Sequence, residues 1–108
     1  LNSAYGAAKA GMFTASRSAA AETAGTDILV NMLFPGMTNT AIWGRDMPGM
    51  QAPEVVYPTA RMLATLPAGG PTGTVFYREQ PYEMFGDNDE LMARDRDEVR
   101  RRASGDTP

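Results

Sequence analysis

Tyr5 and Lys9 are the residues of this 108-residue chain whose types and spacing most directly suggest chemistry. They stand four apart in a stretch rich in helix formers, so a helix sets them on one face, one turn apart. A phenol holds its proton at neutral pH, and a neighbouring ammonium favours the phenolate. Such a pair is suited to giving a proton to an oxygen or taking one away, as the exchange of an alcohol and a carbonyl requires. The same spacing also suits an aromatic at a helix start beside a snorkelling surface lysine. Lys9 is the only lysine; the other nine cations are arginines. A compact ammonium with movable donors does a different job from a broad planar guanidinium.

A second group follows an apolar run. Pro35-Gly36 ends that run sharply, and Thr38, Asn39 and Thr40 then offer hydroxyl, amide and backbone groups to a polar ligand. If the run is a parallel strand, this turn lies past its carboxyl end, where open doubly wound sheets bind ligands.

The elements that must hold these residues can be read coarsely. Residues 4–24 are expected to be a helix, with Ser3 as its cap and Gly25 as its stop. Residues 27–33 read as a short strand buried on both faces. Residues 37–52 read as a loop with one short helix. Residues 54–66 look helical, with Pro58 one turn in and able to kink the start. Residues 73–78 read as a second strand, and residues 87–102 as a charged helix, with Asp87 and Glu90 spaced as a capping box. The order helix, strand, helix, strand favours a parallel sheet with helical crossovers. Two parallel strands are too few for a stable sheet, so the chain reads as the last third of a larger doubly wound α/β domain. The start at Leu1 rather than Met agrees with a processed product or a fragment.

Composition narrows the chemistry. The chain has no cysteine and no histidine, so it carries no disulfide, no thiolate or imidazole metal site, no cysteine nucleophile and no serine–histidine triad. Its net charge of −3 argues against a nucleic-acid partner. No signal-like segment opens the chain, and the longest near-apolar run, residues 28–34, is far short of a membrane span. A cytoplasmic protein without a membrane partner is expected. Residues 1–77 hold four cations and four acids, and residues 78–108 hold six cations and nine acids. The first part can build a core, while the second is mostly solvated surface.

Taken together the pieces resemble one family. Tyr5-Gly6-Ala7-Ala8-Lys9-Ala10-Gly11 is similar to the active-site helix of the short-chain dehydrogenases/reductases, with its Tyr-x-x-x-Lys motif. Ile28-Leu29-Val30-Asn31 stands where that family has a strand ending near an asparagine. Pro35-Gly36-Met37-Thr38-Asn39-Thr40 resembles its Pro-Gly-x-x-x-Thr motif. The Pro53-Glu54 helix and the Gly73-Thr74-Val75 strand fall in family order, so the resemblance spans about residues 1–80. It implies that residues 1–85 are the C-terminal half of a Rossmann-type oxidoreductase domain and that residues 86–108 are a charged helix or tail.

The roles that the resemblance implies fall on six residues. Tyr5 is the general acid/base, and Lys9 holds the ribose hydroxyls of NAD or NADP and assists Tyr5. Pro35, Gly36 and Thr38 line the nicotinamide, largely through backbone groups. Thr40 hydrogen-bonds the carboxamide or a phosphate. The substrate is a small secondary alcohol or carbonyl. The family's glycine-rich phosphate turn, the residue that selects NAD or NADP, and the catalytic serine about a dozen residues before the tyrosine are not in these 108 residues; Ser3 is too near Tyr5 to be that serine. Where many members have Asp-Gly-Gly after a strand, this chain has Tyr77-Arg78-Glu79-Gln80, and residues 71–79 look more like the carbonyl-reductase-like branch. The alternative is a truncated, non-catalytic fragment or interaction module without the dinucleotide-binding loop.

Other features carry less. Met37, Trp43, Met47 and Met50 stand where the family has its mobile substrate lid and suit either an adaptable apolar wall or ordinary loop packing. Met12, Phe13 and the alanines of the first helix suit a homo-oligomer face or packing inside the subunit. Asp87-Asn88-Asp89-Glu90 lacks the glycine that a calcium loop needs and puts Leu91 on a ligand position. The run Arg100-Arg101-Arg102 is offset by seven acids between Asp87 and Asp106 and reads as solvated tail.

Overall fold

Alanine-rich sequence makes the first element a long helix, α1, Ser3–Glu22. The computed structural model describes residues 2–105, apart from the side chains of residues 95, 99, 102 and 103. Leu1 and residues 106–108 of the expected tail lie outside the described residues. Ser3 is not the cap: Asn2 takes that position, without a side-chain cap bond, and Ser3 is already helical. The helix closes at Thr23, whose N–H and hydroxyl both donate to the Ala19 carbonyl, at 3.1 and 3.0 Å. Gly25 follows at φ +79°, the left-handed geometry of a stop.

The chain is α/β, with a small mixed sheet of three strands in the order β1-β2-β3. β1 is Met32–Phe34, β2 is Val75–Tyr77 and β3 is Gln80–Tyr82. β1 and β2 are parallel, with Leu33 opposite Phe76; β2 and β3 are antiparallel, with Phe76 opposite Pro81. The crossover from β1 to β2 contains α2, Tyr57–Ala64, entered through a 3₁₀ turn at Pro53–Val56. Pro58 sits in the first turn of α2, where its missing N–H costs nothing, so the expected helix is divided without a kink in its middle. α3, Asp89–Ser104, begins with Asp89 and Glu90, acids that suit the positive end of a helix.

The first strand departs from expectation. Only Met32–Phe34 join the ladder, none of them is buried, and Ile28 is 59% exposed. Among the described residues β1 has one neighbouring strand, β2, and ahead of its ladder Ile28 is exposed and residues 29–31 are half-buried. There the Gly73 N–H donates to the Val30 carbonyl at 2.7 Å, and side chains extend the pairing further. The Val30 N–H donates to the Thr72 hydroxyl at 3.0 Å, the Asn31 amide donates to the Pro71 carbonyl at 2.7 Å, and Asn31 Oδ1 accepts the Thr74 N–H at 3.2 Å.

β3 and its turn were not anticipated from sequence. Arg78 and Glu79 form a two-residue hairpin turn with φ of 47° and 61°. Such turns favour Asn-Gly, because both positions are left-handed. Burial holds this one: Val75, Phe76 and Tyr77 of β2 are all buried. Pro81 is tolerated because β3 is an edge strand.

The left-handed backbone at Glu79 carries a cost that glycine lacks. Glu79→Gly is expected to stabilise the protein by about 0.5–1 kcal/mol, after allowance for the entropy of glycine in the unfolded chain. Urea unfolding checks this, with an unchanged slope and a raised midpoint expected.

Candidate active site

Helix geometry sets the first half of the site. Tyr5 and Lys9 share one face of α1, and the Lys9 ammonium lies 5.5 Å from the centroid of the Tyr5 ring. That distance is a cation–π contact. Lys9 Nζ also approaches Met12 Sδ at 4.0 Å. Tyr5 is 66% exposed, so its hydroxyl is open to a ligand.

The helix is anchored at its other end. Ala20 is buried, and Phe13 meets Phe85 edge-on with ring centroids 6.4 Å apart. At 1.5 Å per residue, Tyr5 stands about 12 Å along the axis before Phe13. The catalytic-type pair is thus carried on the less supported half of α1.

The second half is the turn after β1. Gly36 adopts φ +79°, and a Cβ there would lie 3.1 Å from Tyr77 Cε2. Both facts require glycine: the backbone is left-handed and the Tyr77 ring lies against it. The Thr38 hydroxyl donates to the Gly36 carbonyl at 3.1 Å. Its hydroxyl is therefore engaged inside the turn. The Trp43 indole N–H donates to the Thr38 carbonyl at 3.1 Å, so Trp43 closes the turn as well as offering an apolar wall. Thr40 is exposed and extended, ahead of a 3₁₀ turn at Ala41–Trp43. Its hydroxyl makes no hydrogen bond among the described residues, which leaves it available.

The structure thus joins Tyr5 to Lys9, and Pro35, Gly36 and Thr38 to one another. Among the described residues no hydrogen bond, ion pair or ring contact joins the two groups. Sequence reasoning missed Gln51. It is 3% exposed, its side-chain amide donates to the Pro35 carbonyl and to Thr38 Oγ1, and its backbone pairs with Met37 and Asn39 at 2.9 and 2.8 Å. Arg78 and Glu98, which stand behind Gln51, were missed too. No periodicity or motif marks these three residues, which come from a loop, a turn and a helix.

Residues 1–50 match the family model described as short chain dehydrogenase. Over that span the chain is similar to the short-chain dehydrogenase family. The match contains all six residues singled out from the sequence: Tyr5, Lys9, Pro35, Gly36, Thr38 and Thr40. The matched family is one of oxidoreductases, whose members generally use NAD(P). The match ends before Gln51, so the likeness noted for residues 53–80 lies outside it. No curated protein and no solved structure matches the chain. No described helix is long and apolar enough to cross a membrane.

The turn after β1 gives a contrast between glycines. Gly36→Ala combines left-handed backbone with a close approach to Tyr77 and is expected to cost about 2 kcal/mol. Gly6→Ala, in α1 with nothing within 4 Å of the added carbon, is expected to stabilise by about 0.5–1 kcal/mol. Thermal or denaturant unfolding of the two variants reads the opposite signs.

Proposed function

We propose that this chain is the acid/base helix and nicotinamide edge of an NAD(P)-dependent short-chain oxidoreductase that interconverts a secondary alcohol and a carbonyl. The observation that carries the reading is the exposed Tyr5–Lys9 pair, one turn apart and in mutual contact on α1, inside the segment that matches the family.

The residues present suit one end of the dinucleotide. Gly36 is a half-buried glycine in a turn fixed by its neighbours, Thr40 keeps a free hydroxyl among the described residues, and Lys9 presents an ammonium beside a phenol. Bound NAD or NADP supplies the hydride acceptor or donor. Tyr5 Oη gives a proton to the carbonyl oxygen in one direction and takes it from the alcohol in the other. Lys9 would hold the ribose hydroxyls beside Tyr5. Pro35, Gly36 and Thr38 orient the nicotinamide through backbone groups, and Thr40 hydrogen-bonds the carboxamide or a phosphate. What these residues would supply is position and a proton: they would hold the dinucleotide and the substrate oxygen in place beside Tyr5.

A doubly wound sheet accounts for two features of the fold. β1 pairs only with β2 among the described residues, which leaves a hydrogen-bonding edge for a further parallel strand. The front half of α1 leaves Tyr5 and Met12 exposed, a face that a neighbouring layer would cover. In that setting residues 1–85 belong to a Rossmann-type domain, and residues 71–79 favour the carbonyl-reductase-like branch.

In the full-length enzyme, Tyr5→Phe is expected to lower kcat by about 10²–10⁴-fold, with dinucleotide affinity, read by nicotinamide fluorescence, nearly unchanged. Lys9→Ala is expected to weaken both. Full turnover in Tyr5→Phe would sink the assignment.

A further inference from the structure

Gln51 is a buried amide whose polar atoms all point at the turn or at a charge. Pro35 O can only accept a hydrogen bond, and the Arg78 guanidinium can only donate. The amide is therefore fixed one way round: Nε2 faces the Pro35 carbonyl and, at 3.2 Å, Thr38 Oγ1, while Oε1 accepts from Arg78 Nη2 at 3.0 Å. The other terminal nitrogen of Arg78, Nη1, pairs with the Glu98 carboxylate of α3. Arg78 thus serves two partners with the two prongs of one planar fork, where a lysine would have to reach both from a single nitrogen. Its side chain is 32% exposed and that of Glu98 27%, so water only partly screens the pair. The path runs from Glu98 to Arg78, to Gln51, to the Pro35 carbonyl and the Thr38 hydroxyl, and so to Gly36.

We propose that Gln51 is a positioning residue for the turn at Pro35, Gly36 and Thr38, and that the Arg78–Glu98 pair locks its amide, so that the docking of α3 sets how rigid this turn is. The consequence for binding rests on the reading of the turn as the nicotinamide edge; the latch itself does not. The device also explains why arginine occupies a left-handed turn position: the hairpin places its guanidinium between Gln51 and α3.

Hydrogen exchange in the full-length protein tests the latch without any cofactor. The reporting amides are Asn39 N–H, bonded to the Gln51 carbonyl, and Gln51 N–H, bonded to the Met37 carbonyl. Glu98→Gln and Arg78→Lys are expected to speed their exchange about 3–10-fold, the size of one ordinary net hydrogen bond, as the partial exposure of the pair requires, with exchange at Phe76 unchanged. Gln51→Glu puts an oxygen against the Pro35 carbonyl and is expected to have a larger effect. Unchanged exchange at Asn39 and Gln51 in both Glu98→Gln and Arg78→Lys would overturn the proposal. Titration of the same variants with NADH and NADPH separates the two readings. A loosened turn with weakened binding supports both. A loosened turn with unchanged binding keeps the latch and removes the turn from the cofactor site.

Discussion

The burial of β2 is the constraint on which the rest of the structure depends. Val75, Phe76 and Tyr77 are buried in succession, and because successive strand residues face opposite ways, both faces of this strand are covered. β1 hydrogen-bonds to one edge and β3 to the other. The Tyr77 ring fills the space beside Gly36, and the next residue sends its guanidinium to Gln51. A change that moved β2 would therefore move the Pro-Gly turn and the α3 contact together. The other buried apolar residue among those described, Ala20, lies beside Gly73, just ahead of β2, and ties α1 to the same strand.

What was legible in the sequence was what local geometry dictates. Tyr5 and Lys9 could be set on one face because helical spacing converts directly into position. Gly36 could be singled out because a proline-glycine turn after an apolar run has few conformations. The chain's α/β character and its helices followed from the same local rules. The short-chain dehydrogenase resemblance was legible over the 50 residues that the family match contains. It needed several motifs in order, since each alone was ambiguous.

What was not legible came from distant pairing. The extent of β1 depends on its pairing with β2, which no window of sequence contains. The β2–β3 hairpin uses Arg78 and Glu79 where turn chemistry leads one to seek asparagine and glycine, so the usual signal was missing. Gln51 follows no motif, and its importance arises only when Pro35, Arg78 and Glu98 converge from separate elements. The turn type and the buried amide are connected: a residue with an unfavourable backbone supplies the guanidinium that fixes the amide.

The strand register also sets an order of assembly. β2 and β3 are joined by two residues, so their pairing is a local event on a scale of about 1–10 μs. β1 must find β2 across a long stretch: Asn31 and Thr74, which hydrogen-bond just ahead of the parallel ladder, are 43 residues apart. Closing so long a loop carries an entropy cost that grows with the logarithm of its length and is met before the contacts form. The hairpin is then the template, and the parallel pairing is the slower step that completes it. On this view the Pro-Gly turn is among the last parts to take shape, because β1, Tyr77 and Gln51 must all be in place around it.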